Sequence, residues 1–172
     1  MLEMLRKRKS IRCYQDKPIE PQTKEALKEV LLLCPSSRNI NPWEFVFVED
    51  RSKLLKLSYS KEHGSAFLKD AALGVVICAD ETKSDVWVED CSICAILLQM
   101  EAQNRGLGSC WIQIRNRKHN AALSSEYYVK EVLSIADNIR VDSIISIGYP
   151  GEQVDTTQKR ELQVKKIHSE TW

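Results

Sequence analysis

The apolar positions fall into blocks whose spacing distinguishes helices from strands. Between residues 20 and 33, Leu27, Val30 and Leu31 form a helical stripe behind Pro21, which suits a first turn, and Pro35 stops the run. Residues 2–8 read as a short helix ending in basic side chains. Glu44-Phe45-Val46-Phe47-Val48 is a compact apolar strand closed by Glu49-Asp50. Residues 51–60 return to helix, with Leu54, Leu55 and Leu57 as the expected buried face. Leu73-Gly74-Val75-Val76-Ile77-Cys78-Ala79 is apolar throughout, the pattern of a strand covered on both faces. The longest predicted helix spans 88–105. In it Ile93, Ile96, Leu97 and Met100 repeat at i, i+3, i+4 and i+7, widened by Ala95, Leu98 and Ala102. A helix this apolar must be buried in the core or against another subunit, and Gly106 stops it. A third strand is expected over 109–114, a helix over 124–133 and a fourth strand over 141–148. From Asp155 the tail is charged, with Leu162, Val164 and Ile167 as its few apolar anchors.

Helices and strands mix without strict βα alternation, and no G-x-G-x-x-G is present. The expected architecture is therefore α+β, a central sheet flanked by helices. No repeat, linker or low-complexity tract divides residues 1–172, so one domain is expected. A chain of 172 residues with 43% hydrophobic and 28% charged residues can build a core of its own. Its net charge of +1 gives no global field to recruit nucleic acid or an anionic membrane. No apolar run approaches the roughly 20 residues that span a bilayer, and the N-terminus lacks a signal-peptide pattern. The default location is the cytoplasm.

Chemistry concentrates near the N-terminus. Arg8-Lys9-Ser10-Ile11-Arg12-Cys13-Tyr14 precedes Lys17-Pro18-Ile19. In an extended backbone, side chains two apart point the same way, so Arg8, Ser10 and Arg12 can converge on one small anion. Two guanidinium forks and a hydroxyl match a phosphate monoester. A solvated basic face at the end of a short helix fits the same pattern. The six cysteines, Cys13, Cys34, Cys78, Cys91, Cys94 and Cys110, do not suggest a disulfide framework in a chain this rich in core residues. Cys91-Ser92-Ile93-Cys94 lies inside an apolar helical stretch and reads as buried structural thiols. No second cysteine pair or close histidine spacing supports a metal site. No Ser-His-Asp or Cys-His arrangement is legible.

Further segments occur in order: Pro35-Ser36-Ser37-Arg38-Asn39-Ile40-Asn41-Pro42-Trp43, then Gly106-Leu107-Gly108-Ser109-Cys110-Trp111-Ile112, then Ile147-Gly148-Tyr149-Pro150, then Lys159-Arg160. With the basic block, these resemble the nitroreductase family of FMN-dependent oxidoreductases over nearly the whole chain. The resemblance implies a mainly antiparallel sheet flanked by helices, with FMN at a homodimer interface. Arg8, Lys9, Ser10 and Arg12 match the phosphate and ribityl positions, with Arg12 near the pyrimidine edge of the ring. Lys159 and Arg160 match a C-terminal basic pair that closes on the phosphate; a solvated tail fits them equally.

Pro35, Ser36, Ser37, Arg38 and Asn39 match a loop that reaches the flavin of the opposite subunit, although a helix stop followed by a turn explains them locally. Asn41 stands where relatives carry Gln. Ile112 and Gln113 occupy positions where a backbone N–H faces flavin N5. Relatives often have a small residue there, so Gln113 is expected near the space an acceptor must enter. The implied reaction takes hydride from NADH or NADPH to flavin N5 and then to an electron-poor nitroaromatic or quinone-like acceptor. A flavin-binding protein without turnover, or a branch with a different flavin reaction, fits the same motifs.

Overall fold

The computed structural model describes residues 1–151 and 161–172. Lys159 and Arg160 lie outside the described residues. Four strands form an antiparallel sheet in the order β1 (Trp43–Val48), β2 (Leu73–Asp80), β4 (Ile139–Gly148), β3 (Gly108–Gln113). The helices are α1 (Leu2–Lys7), α2 (Pro21–Leu32), α3 (Arg51–Leu57), α4 (Trp87–Asn104) and α5 (Ser125–Leu133). The expected α+β architecture is the observed one. Among the described residues no helix is long and apolar enough to cross a membrane.

Side chains alternate across a strand, so a sheet covered on both sides makes two cores. On one face, Val75, Ile77 and Ala79 of β2 and Ile145 and Ile147 of β4 pack against Leu27 and Leu31 of α2 and against α4. On the other, Val76, Cys78, Ile112, Ile144 and Val141 meet Leu54 and Leu57 of α3 and Val129 of α5. Every residue of β2 is buried, as its unbroken apolar run requires. Local chemistry sets several boundaries. The Asp50 carboxylate accepts the Lys53 N–H and caps α3, and the Ser124 hydroxyl accepts the Tyr127 N–H and caps α5. Gly106, at φ +72°, takes the left-handed turn that ends α4.

One predicted face is corrected, and a second is divided between the core and the outer surface. Leu55 is 45% exposed, because Leu54 and Leu57 already fill the side of α3 facing the sheet. On α4 the buried stripe is Cys91, Cys94, Ala95, Leu98 and Ala102, one step around the helix from the expected one. Ile93 and Ile96 are 38% and 39% exposed. A helix apolar around most of its circumference offers periodicity no unique face. Packing chooses the side with small Cys and Ala residues, which lets the helix sit close to the sheet, and turns its bulkier side chains outward. All six cysteines are free thiols, and only Cys13 is exposed.

The sheet carries one irregularity. Ile77 pairs with Ser143 and Cys78 with Val141, leaving Asp142 as an extra residue in β4. The Asp142 carbonyl accepts the N–H groups of both Ile114 and Arg115 and so turns the chain at the end of β3. Its carboxyl is buried, and desolvation holds it above the ordinary Asp range despite Ser143 and the Arg115 charge.

Candidate functional site

The basic block is held against the start of β3. Ser10 bridges to Ser109, and the Ile11 N–H donates to the Ser109 carbonyl at 3.0 Å. Farther along, Tyr14 bridges to Pro150, the Gln15 N–H donates to the Tyr149 carbonyl at 2.9 Å, and the Gly151 N–H donates to the Cys13 carbonyl at 2.9 Å. Tyr14 supplies the central pin. Its hydroxyl lies 2.7 Å from the Ile11 carbonyl and 2.7 Å from Ser146 Oγ on β4. Burial raises the Tyr14 pKa, so this phenol stays protonated. Ile11 and Tyr14 point inward, while Ser10 and Arg12 are exposed and Arg8 is half-buried.

This seating brings the expected side chains together. The positive charges of Arg12, Arg8 and Lys61, and the neighbouring Ser10 hydroxyl, all favour the charged form of the Cys110 thiol. Burial nevertheless pushes the Cys110 thiol up, so it carries no charge to neutralise them. Among the described residues, Arg8, Arg12 and Lys61 form no ion pair with a carboxylate. Arg12 lies 5.7 Å over the Phe67 ring. It also lines a cleft of about 460 Å³ with Cys13, Tyr14, Asp16, Arg51 and Asp70. Lys9 belongs to the same segment and is half-buried.

β3 is the last strand on its side of the sheet. Because the Ser109 carbonyl faces away from β4, alternation of an antiparallel ladder turns the backbone groups of Trp111 and Gln113 outward too. Those of Cys110 and Ile112 pair inward with β4. Ile112 is fully buried, with its side chain in the core on the α3 and α5 face. The Gln113 amide is engaged within the chain: its Oε1 accepts the Trp111 indole N–H at 3.0 Å, and its Nε2 donates to the Arg115 carbonyl at 3.0 Å. The open edge thus offers the backbone N–H groups of Trp111 and Gln113 beside the segment that carries Arg8 and Arg12. The arrangement fits a planar ligand with a phosphate tail.

The second expected segment lies elsewhere. Ser37–Asn39 forms a single 3-10 turn whose Ser37 N–H donates to Asp90 Oδ1 at 2.8 Å. Asp90 is buried near the start of α4, and its other oxygen accepts from Ser84 Oγ at 3.3 Å. Arg38 pairs with Asp85 at 2.6 Å. Ser36 Oγ donates to Asn41 Oδ1 and accepts the Asn41 N–H, both at 2.8 Å, so Asn41 closes the loop behind Pro35. Arg38, Asn39 and Asn41 all have φ near +54°, at 54°, 55° and 53°, a conformation Asn tolerates better than Arg. From Asp90 to the end of α4 at Asn104 the axis runs about 21 Å at 1.5 Å per residue. The loop 35–39 and the basic block therefore stand at opposite ends of α4 within one chain.

Lys61 and Phe67 were not legible as site residues. Neither belongs to a motif, and each comes near the block only because loops separated in sequence pack together.

A sequence model described as "Putative TM nitroreductase" matches residues 1–172. A protein from Archaeoglobus fulgidus named "Putative NADH dehydrogenase/NAD(P)H nitroreductase" is 34% identical, over 99% of this chain and 98% of its own length. Among solved structures, an FMN-dependent nitroreductase from Clostridium difficile R20291 superposes with a TM-score of 0.96 at 40% identity, covering 100% of both chains. A Clostridium acetobutylicum protein described as "Putative NADH Oxidase" gives 0.88 at 31% identity, covering 98% of this chain and 99% of the other.

Proposed function

The chain belongs to the nitroreductase family, and on that premise we propose that it is an FMN-dependent oxidoreductase using NADH or NADPH to reduce an electron-poor small molecule. One observation carries the reading: the segment bearing Arg8, Ser10 and Arg12 is seated on Ser109 at the head of an edge strand whose next outward-facing amides belong to Trp111 and Gln113. Bound FMN supplies the redox centre between a nicotinamide donor and an acceptor such as a nitroaromatic or quinone. The protein's part is positional. Arg8 and Ser10 hold the phosphate, with Lys9, Lys159 and Arg160 as further donors to it. Arg12 stands where negative charge gathers at the pyrimidine edge, and a guanidinium there favours the reduced state. The outward amides of Trp111 and Gln113 meet the ring edge. Gln113, tied to Trp111 and Arg115, shapes the acceptor space as a fixed wall.

The deciding experiment is extraction of the cofactor from purified protein, followed by anaerobic titration with NADH and NADPH. About one FMN per subunit, bleached by a nicotinamide donor and reoxidised by a nitroaromatic or quinone, is the expected result. A colourless protein that takes up no added FMN would sink the reading. Bound flavin that neither donor bleaches would leave a binding protein without turnover.

The working unit in this reading is a homodimer. Pro35, Ser36, Ser37, Arg38 and Asn39 stand about 21 Å along α4 from their own chain's basic block, so they serve the flavin of a partner subunit. Ile93 and Ile96 on the outer face of α4, and Leu162, Val164 and Ile167 in the tail, are exposed apolar side chains in the single chain. Replacing both Ile93 and Ile96 with Glu should produce monomers by light scattering and release FMN. A folded, FMN-loaded monomer of the unaltered protein at micromolar concentration would contradict the dimer.

A further inference from the structure

The ring of Phe67 stands under the guanidinium of Arg12. Arg12 Cζ lies 5.7 Å from the ring centroid, inside the roughly 6 Å over which a cation is drawn to the negative face of an aromatic ring. Phe67 belongs to the 3-10 turn Ala66–Asp70, between α3 and β2. Ser65 Oγ donates to the Ser58 carbonyl at 2.8 Å, and the Leu68 N–H donates to the Ser65 carbonyl at 3.0 Å. Leu68 and Ala71 are fully buried, and Arg51 donates to the Ala71 carbonyl at 3.3 Å. Phe67 itself packs against the core on the α3 and α5 face. The ring is therefore fixed by the fold, whereas Arg12 is exposed at the end of a long, rotatable stem.

Arg12 has a competing place to rest. It lines the cleft of about 460 Å³ with Asp16, Arg51 and Asp70. Asp16 is already paired with Arg51, but Asp70 forms no ion pair among the described residues. A guanidinium turned into the cleft would gain a carboxylate and have its charge neutralised there. The Phe67 ring attracts the same guanidinium through its quadrupole and carries no net charge. An aromatic support thus holds the cation and leaves its positive charge for another group. In the proposed function that group is the pyrimidine edge of the flavin, where negative charge gathers on reduction.

We infer that Phe67 is a positioning residue: its ring keeps Arg12 out of the carboxylate-lined cleft and turned to the pyrimidine edge of FMN, with its charge unneutralised. This rests on the proposed FMN site. Phe67 lies outside every segment that carries the family resemblance.

The test replaces Phe67 by trifluorophenylalanine, which keeps the shape of the ring and strips negative charge from its face, and compares Phe67→Leu and Phe67→Tyr. In apoprotein titrations, FMN and riboflavin should both bind about two- to fivefold more weakly to the trifluorophenylalanine and Leu variants, the loss of an exposed cation–π contact. The midpoint potential of bound FMN should shift downward in both, because the reduced ring depends more on Arg12 than the oxidised one does. Phe67→Tyr keeps the ring face and should restore both values. In an Arg12→Ala background, Phe67→Leu should change neither affinity nor potential further. In the flavin-free protein, the Arg12 side-chain proton signals should carry the ring-current shift of Phe67, and Phe67→Leu should remove it. Unaltered affinity and potential in the trifluorophenylalanine variant overturns the inference, since that change removes the attraction and little else. An effect of Phe67→Leu that persists at full size without Arg12 also overturns it, by showing that Phe67 does not act through Arg12. Failure of the unaltered protein to take up FMN would instead overturn the proposed function, and this inference with it.

Discussion

Arg8→Ala and Arg12→Ala should each weaken FMN binding by about 1.5–3 kcal/mol, the range for a hydrogen bond to a charged group. That corresponds to roughly ten- to 150-fold in the dissociation constant. Riboflavin, which lacks the phosphate, separates the two residues. Arg8→Ala should cost riboflavin far less than it costs FMN, whereas Arg12→Ala should affect both ligands, because the proposed site has Arg12 at the ring edge. The fold should tolerate both changes, since Arg8 is only half-buried and Arg12 is exposed, and neither forms an ion pair among the described residues. Fluorescence titration of the apoprotein measures the loss. Equal losses of FMN and riboflavin in Arg8→Ala would mean that Arg8 does not touch phosphate.

Gly108→Val should be more disruptive, although Gly108 touches no ligand in the proposed site. A Cβ at this position would lie 2.7 Å from both Cβ and Cγ1 of Ile11. The absence of a side chain lets the basic block lie directly on β3, with the Ile11 N–H on the Ser109 carbonyl. Overpacking a well-filled interior costs about 1–3 kcal/mol, and more where the neighbours cannot retreat. Ile11 has little freedom to retreat, because Tyr14 grips its carbonyl and Gly148 accommodates the Tyr14 ring, a Cβ there falling 2.8 Å from Tyr14 Cδ1. The melting temperature should fall by roughly 2–4 °C for each kcal/mol lost in a chain of this size. FMN affinity should fall with it, as Ser10 and Arg12 are displaced from Cys110. A variant with unaltered stability and unaltered FMN affinity would show that the block does not depend on this close approach.

The Arg8, Ser10 and Arg12 triad was legible because it is local. Three residues at alternate positions in an extended segment share a side whatever lies around them. The strands were legible for a similar reason: the unbroken apolar run of β2 has no stable place except between two covered faces. Helix stops at Pro35 and Gly106 follow from backbone chemistry confined to single residues. The cysteine pair in α4 also reads correctly as core, since Cys91 and Cys94 fall on the stripe that meets the sheet.

Tertiary structure decided what depends on the choice between near-equal local alternatives or on distance through space. The α4 sequence contains two apolar stripes, and only the fit of small side chains against β2 and β4 determined that Cys91, Cys94 and Leu98 turn inward. That choice leaves Ile93 and Ile96 outward, where a second subunit is proposed. The length of α4 set the separation between the loop 35–39 and the basic block, although the two motifs look like parts of one site along the chain. Tyr59 and His119, 60 positions apart in the chain, meet only because two loops pack together, with His119 Nδ1 2.7 Å from the Tyr59 carbonyl oxygen. Sequence pattern determines the local direction of a side chain, through the periods of helix and strand. Which distant charge that side chain meets is determined by packing, whose energy is shared among many contacts and written in no single segment.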